Sequence, residues 1–227
     1  MAPSTRKAAT TPTAGGDPAT PRERYRSQLR AEIKERAWEQ IATAGATALS
    51  LNAIAKQLGM SGPALYRYYA SRDELITELI KDAYRSEAAA VQGAAAAGAD
   101  LGGLAHALRR WALDDPQRYF LIYGTPVPGY HAPAEVTTIA AEIMAVLLRA
   151  CEPLSAAAPT TALDEHLADH RQWDGGNPAA TPTLRRALAF WSRLHGVLSL
   201  ELAGHYTGMG FDPALLFESE LTSLLAP

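Results

Sequence analysis

Residues 58–75 read Leu-Gly-Met-Ser-Gly-Pro-Ala-Leu-Tyr-Arg-Tyr-Tyr-Ala-Ser-Arg-Asp-Glu-Leu, and this stretch decides the fold. Gly59 and Met60 make a tight turn. Ser61 can then cap a short helix over 62–68, whose Pro63 sits in the first turn, where no backbone hydrogen bond is lost. Ser71 and Glu74 are spaced to satisfy each other's free backbone N–H, a capping box that starts a long helix reaching about residue 95. Upstream, Ser50 caps a second short helix over 51–58. Before that, Leu29, Ile33, Ala37, Trp38 and Ile41 recur at three- and four-residue steps through an amphipathic helix over 22–44 that Gly45 closes. Two short helices about a glycine turn are the minimum geometry for laying one of them in the major groove of DNA.

Within that unit Ile54, Ala55 and Leu58 form the buried face, and Leu65 plugs the helix crossing. Ser61, Gly62, Pro63, Ala64, Arg67 and Tyr68 are then left to face outward. A guanidinium fork can bond two acceptors on one guanine edge, so Arg67 is the base-reading candidate, and Ala64 can touch a thymine methyl. Ser50, Asn52, Lys56, Tyr66 and Arg72 are placed to hold phosphates, which fixes register without reading sequence. The competing reading of Tyr66, Tyr68 and Tyr69 is core packing at helical spacing, which weighs most for Tyr69.

Residues 58–75, with their flanks over 22–83, resemble the DNA-binding signature of the tetracycline-repressor (TetR) family. The resemblance implies an all-α homodimer that binds a palindromic operator in double-stranded DNA, most often a repressor released by a small-molecule effector. Arg67 departs from the less basic residue that many members carry there, which leaves the operator sequence open.

Composition and charge agree with such a division of labour. Net charge is -3, yet residues 1–80 sum to +3 and residues 81–227 to -6, as expected when a DNA-contacting module precedes a non-contacting one. Residues 1–21 are rich in Pro, Thr, Ser and Gly, so a flexible tail is expected, and its Arg6 and Lys7 are read as solvated before they are read as DNA contacts. The single cysteine, Cys151, excludes an intrachain disulfide and a cysteine metal site. No apolar run approaches a membrane span and the opening residues lack a signal-peptide pattern, so a cytoplasmic protein without membrane contact is expected.

The rest of the chain reads as helices over 101–113, 116–123, 133–152, 161–170, 182–205 and 213–225, with Asp115, Thr181 and Asp212 each capping a helix that opens on proline. The expected architecture is all-α: a tail (1–21), a three-helix helix-turn-helix domain (22–70), and a helical ligand-binding and dimerisation domain (71–227) entered through the long helix. On 182–205, Leu184, Leu188, Trp191, His195, Leu198 and Leu202 make one apolar stripe beside a second formed by Ala187, Phe190, Leu194 and Val197. With Leu215, Leu216, Leu221, Leu224 and Leu225 of the last helix, the first stripe is the expected dimer interface. The alternative is that both stripes are buried in one chain. Trp191 to Gly196 and Leu200 to Leu202 also resemble the C-terminal domain type named for its Trp-His-Gly residues.

Trp111, Tyr119, Tyr123, Tyr130 and His131, gathered about the 124–129 loop, are candidates for an apolar ligand pocket, with ordinary core packing as the rival explanation. His195 joins them, though histidine on an apolar helix is more often a hydrogen-bonded core residue. His166 and His170 share a helix face near Asp169, but without a third ligand a solvated charged helix is the simpler reading. No phosphate loop, nucleophile elbow, complete metal motif or cofactor signature is present, which speaks against an enzyme. A DNA-binding regulator with no small-molecule switch is the nearer alternative.

Overall fold

The computed structural model describes residues 20–155, 160–174 and 176–226. The expected tail, with Arg6 and Lys7, lies outside them except at its end. There Thr20 caps α1 (Pro21–Ala44), its hydroxyl accepting from the Glu23 backbone N–H while Glu23 accepts from the Thr20 N–H at 2.7 Å. The helix therefore starts one residue inside the segment assigned to the tail.

The described residues form ten α-helices and no strand: α1, α2 (Leu51–Gln57), α3 (Gly62–Leu65), α4 (Arg72–Ala96), α5 (Leu101–Asp114), α6 (Pro116–Tyr123), α7 (Ala134–Cys151), α8 (Ala162–Asp169), α9 (Thr181–Leu202) and α10 (Pro213–Leu225). Several details depart from the sequence reading. The recognition segment is helical only over Gly62–Leu65 and continues as turns through Tyr68, and Ser61 makes no side-chain cap bond. Ser71 does cap α4, but the Glu74 carboxylate accepts from Ala70 N, one residue earlier than a capping box requires. Thr181 is the first helical residue, preceded by Ala180 as an N-cap without a side-chain acceptor. Asp115 and Asp212 cap as expected.

Burial separates the chain into two apolar cores with α4 running through both. The first gathers Ile33, Ala37, Ile41, Leu51, Ile54, Ala55, Leu65 and Tyr69 around Leu75, Ile76, Leu79 and Ile80. The second packs Ala88 and Val91 of α4 with Leu104, Leu108, Tyr119, Ile143, Leu147, Phe190, Leu194 and Phe217. Val127 and Val136, from the α6–α7 connection and α7, cross over into the first core. Gly124 opens that connection because any side chain there would place its Cβ 2.4 Å from the Phe120 carbonyl oxygen. In the second core Arg109 makes a two-pronged ion pair with Glu201, bonding Oε1 at 2.8 Å, and lies over the Phe217 ring.

Candidate nucleic-acid interface

Capping and packing in the first core determine which side chains stay free. Ser50 Oγ accepts from Ala53 N, which starts α2 and turns Leu51, Ile54 and Ala55 inward. Asn52 and Lys56 are left exposed on the opposite face. α3 crosses closely over α2: a Cβ at Gly62 would sit 3.3 Å from the Asn52 side-chain oxygen. Leu65 and Tyr69 are fully buried, whereas Ser61, Pro63, Tyr66 and Arg67 are exposed and Ala64 and Tyr68 are half-buried. Core packing is thus the role of Tyr69, and Tyr66, 44% exposed, is free to meet another molecule. The turn is held in place by Arg30 of α1, which donates to the Tyr68 carbonyl at 2.9 Å and stacks over the Tyr69 ring.

The structure adds residues that sequence reading left out. Arg22, Tyr25 and Arg26 on the first turns of α1 line a cleft of about 450 Å³ together with Arg67 and Tyr68. Three guanidiniums share that cleft. The signal was present in the sequence as Pro21-Arg-Glu-Arg-Tyr-Arg26, but nothing in it says that the start of α1 folds back beside the recognition segment. Arg72 stands differently. Its guanidinium donates to the carbonyls of Leu49, Ala46 and Thr47 at 3.2, 2.8 and 3.1 Å, tying α4 to the turn before α2. A phosphate would have to compete with those bonds. Arg72→Ala is accordingly expected to cost about 1–3 kcal/mol of stability in urea unfolding while leaving the salt dependence of DNA binding unchanged.

The pocket candidates do not converge on one space. Trp111, Tyr119, Tyr123 and His195 meet in the second core with Trp191, the Tyr123 and Trp191 rings lying 4.3 and 4.1 Å from the imidazole. Trp111 donates to Ser86 Oγ, and the Tyr119 hydroxyl touches His195 Nδ1 at 3.1 Å. Tyr130 instead packs on the first core and bonds Thr77, and His131 is exposed. Both stand on the proline- and glycine-rich connection between α6 and α7, which carries them away from the second core.

The expected dimer stripe is corrected in the same way. Leu184, Leu198, Leu221 and Leu224 are buried within this one chain, because α9 and α10 pack on each other and on α5; Leu188, Trp191, Leu202 and Leu216 are half-buried. Exposed on α9 and α10 are Ser192, Arg193, Gly196, Leu200, Leu215, Glu218, Ser219, Thr222 and Ser223, with Leu215 68% exposed. His166 and His170 stack face to face with centroids 4.0 Å apart, so their nitrogens do not converge, and no group of three metal-binding side chains occurs among the described residues.

With this geometry in view, comparison with known proteins is direct. Residues 33–79 match the family model of bacterial regulatory proteins of the tetR family, and residues 101–224 match that of the tetracyclin repressor-like C-terminal domain, a range that includes Trp191 to Gly196. HTH-type transcriptional regulators of Mycobacterium tuberculosis and Mycobacterium bovis are 34% identical over 216 residues, covering 88% of this chain and 92% of theirs. The crystal structure of the regulatory protein SCO4313 is 72% identical, with a TM-score of 0.85 over 92% of this chain and all of that one. A tetR-family regulatory protein from Rhodococcus RHA1, at 19% identity and a TM-score of 0.55 over 87% of this chain and 95% of its own, shares the fold. The mycobacterial relatives are HTH-type transcriptional regulators, and no described helix is long and apolar enough to cross a membrane. The chain belongs to the TetR family of transcriptional regulators with a helix-turn-helix DNA-binding domain.

Proposed function

We propose that the protein is a homodimeric repressor that binds a palindromic operator and is released from it by a small-molecule effector. The observation that carries the DNA-binding half is the exposure of Asn52, Lys56, Pro63, Tyr66 and Arg67 on and just after the two short helices, with Arg67 sharing a cleft with Arg22 and Arg26. Arg67 reads a base edge, and Asn52, Lys56, Tyr66, Arg22 and Arg26 hold phosphates. A dimer through the outward face of α9 and α10, where Leu200 and Leu215 are exposed beside Ser192 and Gly196, supplies the second reading head. Its two-fold symmetry calls for half-sites centred about 10 base pairs apart or a multiple of that.

Effector release is supported by α6. Tyr119 and Tyr123 reach into the second core, while Leu121 packs on the first and Arg118 lies over the Trp38 ring of α1. One short helix thus touches both the aromatic cluster and the DNA-reading unit. An effector that favours one position of α6 shifts operator affinity by that preference alone.

The test is selection of random duplexes by the purified protein, followed by binding of the winner to wild type and Arg67→Ala. A palindrome is expected, with Arg67→Ala losing about 1–3 kcal/mol of discrimination at one position per half-site and little elsewhere. Absence of any enriched sequence would sink the specific-regulator reading.

A further inference from the structure

A single turn of helix does not support itself, because nucleation fixes several residues for one hydrogen bond. The recognition segment is such a turn. α3 is helical only over Gly62–Leu65, and the residues after it are tied to it by Tyr66 N on the Gly62 carbonyl at 3.1 Å and by Tyr68 N and Tyr69 N on the Leu65 carbonyl at 2.8 and 3.3 Å. Beyond the last of these bonds the backbone carbonyls need partners of another kind. Arg30 supplies one to Tyr68 from 38 residues away, and among the described residues it is the one side chain of another element that bonds the backbone of 62–69.

Four basic residues, Arg22, Arg26, Arg30 and Lys34, recur at four-residue steps along one face of α1. Their surroundings divide them. Arg22 and Arg26 are exposed in the cleft with Arg67 and Tyr68, and Lys34 pairs with Asp82 of α4. Arg30 is half-buried between them, at the edge of the stripe that α1 buries through Ile33 and Ala37. Its guanidinium carbon lies 5.1 Å from the centre of the Tyr69 ring while Nη2 donates to the Tyr68 carbonyl at 2.9 Å. Tyr69 is 1% exposed, so its ring is a fixed floor, and the two contacts together set where the backbone just beyond Arg67 lies.

From this arrangement we infer that Arg30 is a positioning residue for operator recognition, which fixes the turn after α3, and with it the Arg67 fork, without touching a base itself. A bidentate contact needs both nitrogens of the fork in the plane of a base edge, and recognition groups of this kind must be held to within about 0.5 Å. A phosphate contact made by a long flexible side chain tolerates more. Loss of Arg30 therefore acts on preference among sequences before it acts on affinity for DNA in general. The inference rests on the base-reading role proposed above for Arg67.

The test uses the full-length protein with the selected operator, every single-base variant of one half-site and a scrambled duplex, by fluorescence anisotropy across a salt series. Arg30→Met keeps the apolar stem and loses the donor and the charge. Folded by circular dichroism, it is expected to lose about fivefold to tenfold of the preference for the operator, to bind the scrambled duplex within about twofold of wild type, and to keep the salt slope. Arg30→Lys retains a cationic donor and is expected to keep most of the preference. Added to Arg67→Ala, Arg30→Met is expected to cost no further preference at the base pair that Arg67 reads, since both act through one contact. Arg30→Gln, whose amide stops short of the carbonyl, takes the place of Arg30→Met should the latter not fold. Undiminished preference in a folded variant without the donor would overturn the inference. So would a uniform loss on all duplexes with the slope reduced by about one per half-site, the mark of a phosphate contact. A Lys variant no better than the Met variant, or losses that add in full in the double variant, would count against it equally. If Arg67→Ala leaves every preference intact while Arg30→Met lowers one, the base-reading role of Arg67 falls and the positioning of the turn stands. If Arg67→Ala lowers the preference and Arg30→Met does not, Arg67 keeps its role and the inference falls.

Discussion

Stability against pH is expected to rise from pH 3 to about 4.5, stay level to about 6.5, fall to about 8 and level off, with two buried groups setting the four corners. Burial raises the Glu87 carboxyl from its ordinary 4.5 to about 8, partly opposed by the Tyr123 hydrogen bond. Burial lowers the His195 imidazole from 6.5 to about 3. An acid whose folded value is raised binds more protons when folded, so its contribution is complete below 4.5 and is lost as pH climbs through 8. A base whose folded value is depressed binds fewer, so its contribution is complete above 6.5 and is lost as pH falls through 3. Between 4.5 and 6.5 the two slopes oppose each other and cancel. The alkaline fall should amount to a few kcal/mol, since each pH unit in the window is worth about 1.4 kcal/mol.

Glu87→Gln keeps an acceptor for Tyr123 and has no proton to lose, so it should abolish the alkaline limb and, with nothing left to cancel the His195 slope, extend the acid rise from about 4.5 to about 6.5. Urea midpoints of both proteins from pH 3 to 9 decide the matter. An alkaline limb that survives in the variant would mean that another group sets it.

The amphipathic step of α1, the small Ala55 under the α2–α3 crossing and the aspartates before Pro116 and Pro213 act within a few residues of themselves, and all were legible in the sequence. The helices they predict stand within a few residues of those observed. What the sequence concealed is long-range. Arg72 reads as a free cation beside the recognition segment, and only the fold shows its donors on carbonyls 23 to 26 residues away. The two stripes of α9 look alike in hydrophobicity, so the pattern could not tell a surface covered by α5 and α10 from one left for a second chain. Glu87 lies in a helix where charged residues are common, and nothing local marks it as fully buried; its partner Tyr123 is 36 residues distant. For His195 the sequence leaves a core residue and a ligand contact both open; the fold gives it a hydrogen-bonded place in the core and still leaves one nitrogen bare.

Removing Arg22 and Arg26 together should weaken binding to every duplex alike, whereas removing Arg67 should weaken binding to one sequence in particular. The three guanidiniums line one cleft, yet they leave from different elements, α1 for the first two and the turn after α3 for the third. The start of α1 lines this cleft beside the turn after α3, a flanking position that suits contact with the phosphate backbone. Each phosphate neutralised releases counterions, so Arg22→Ala/Arg26→Ala should reduce the slope of log affinity against log salt by about one per arginine and half-site, about four for a dimer. At near-physiological salt the loss should be about tenfold to a hundredfold, on the selected operator and on random DNA alike. Arg67→Ala should change the slope less and flatten the preference at one base pair per half-site, because a bidentate contact to a base edge is lost. Fluorescence anisotropy across a salt series, on the operator, a single-base variant and a scrambled duplex, separates the two patterns. A specificity change in the double variant would place Arg22 or Arg26 at a base edge, and a uniform loss in Arg67→Ala would move that side chain from base to backbone.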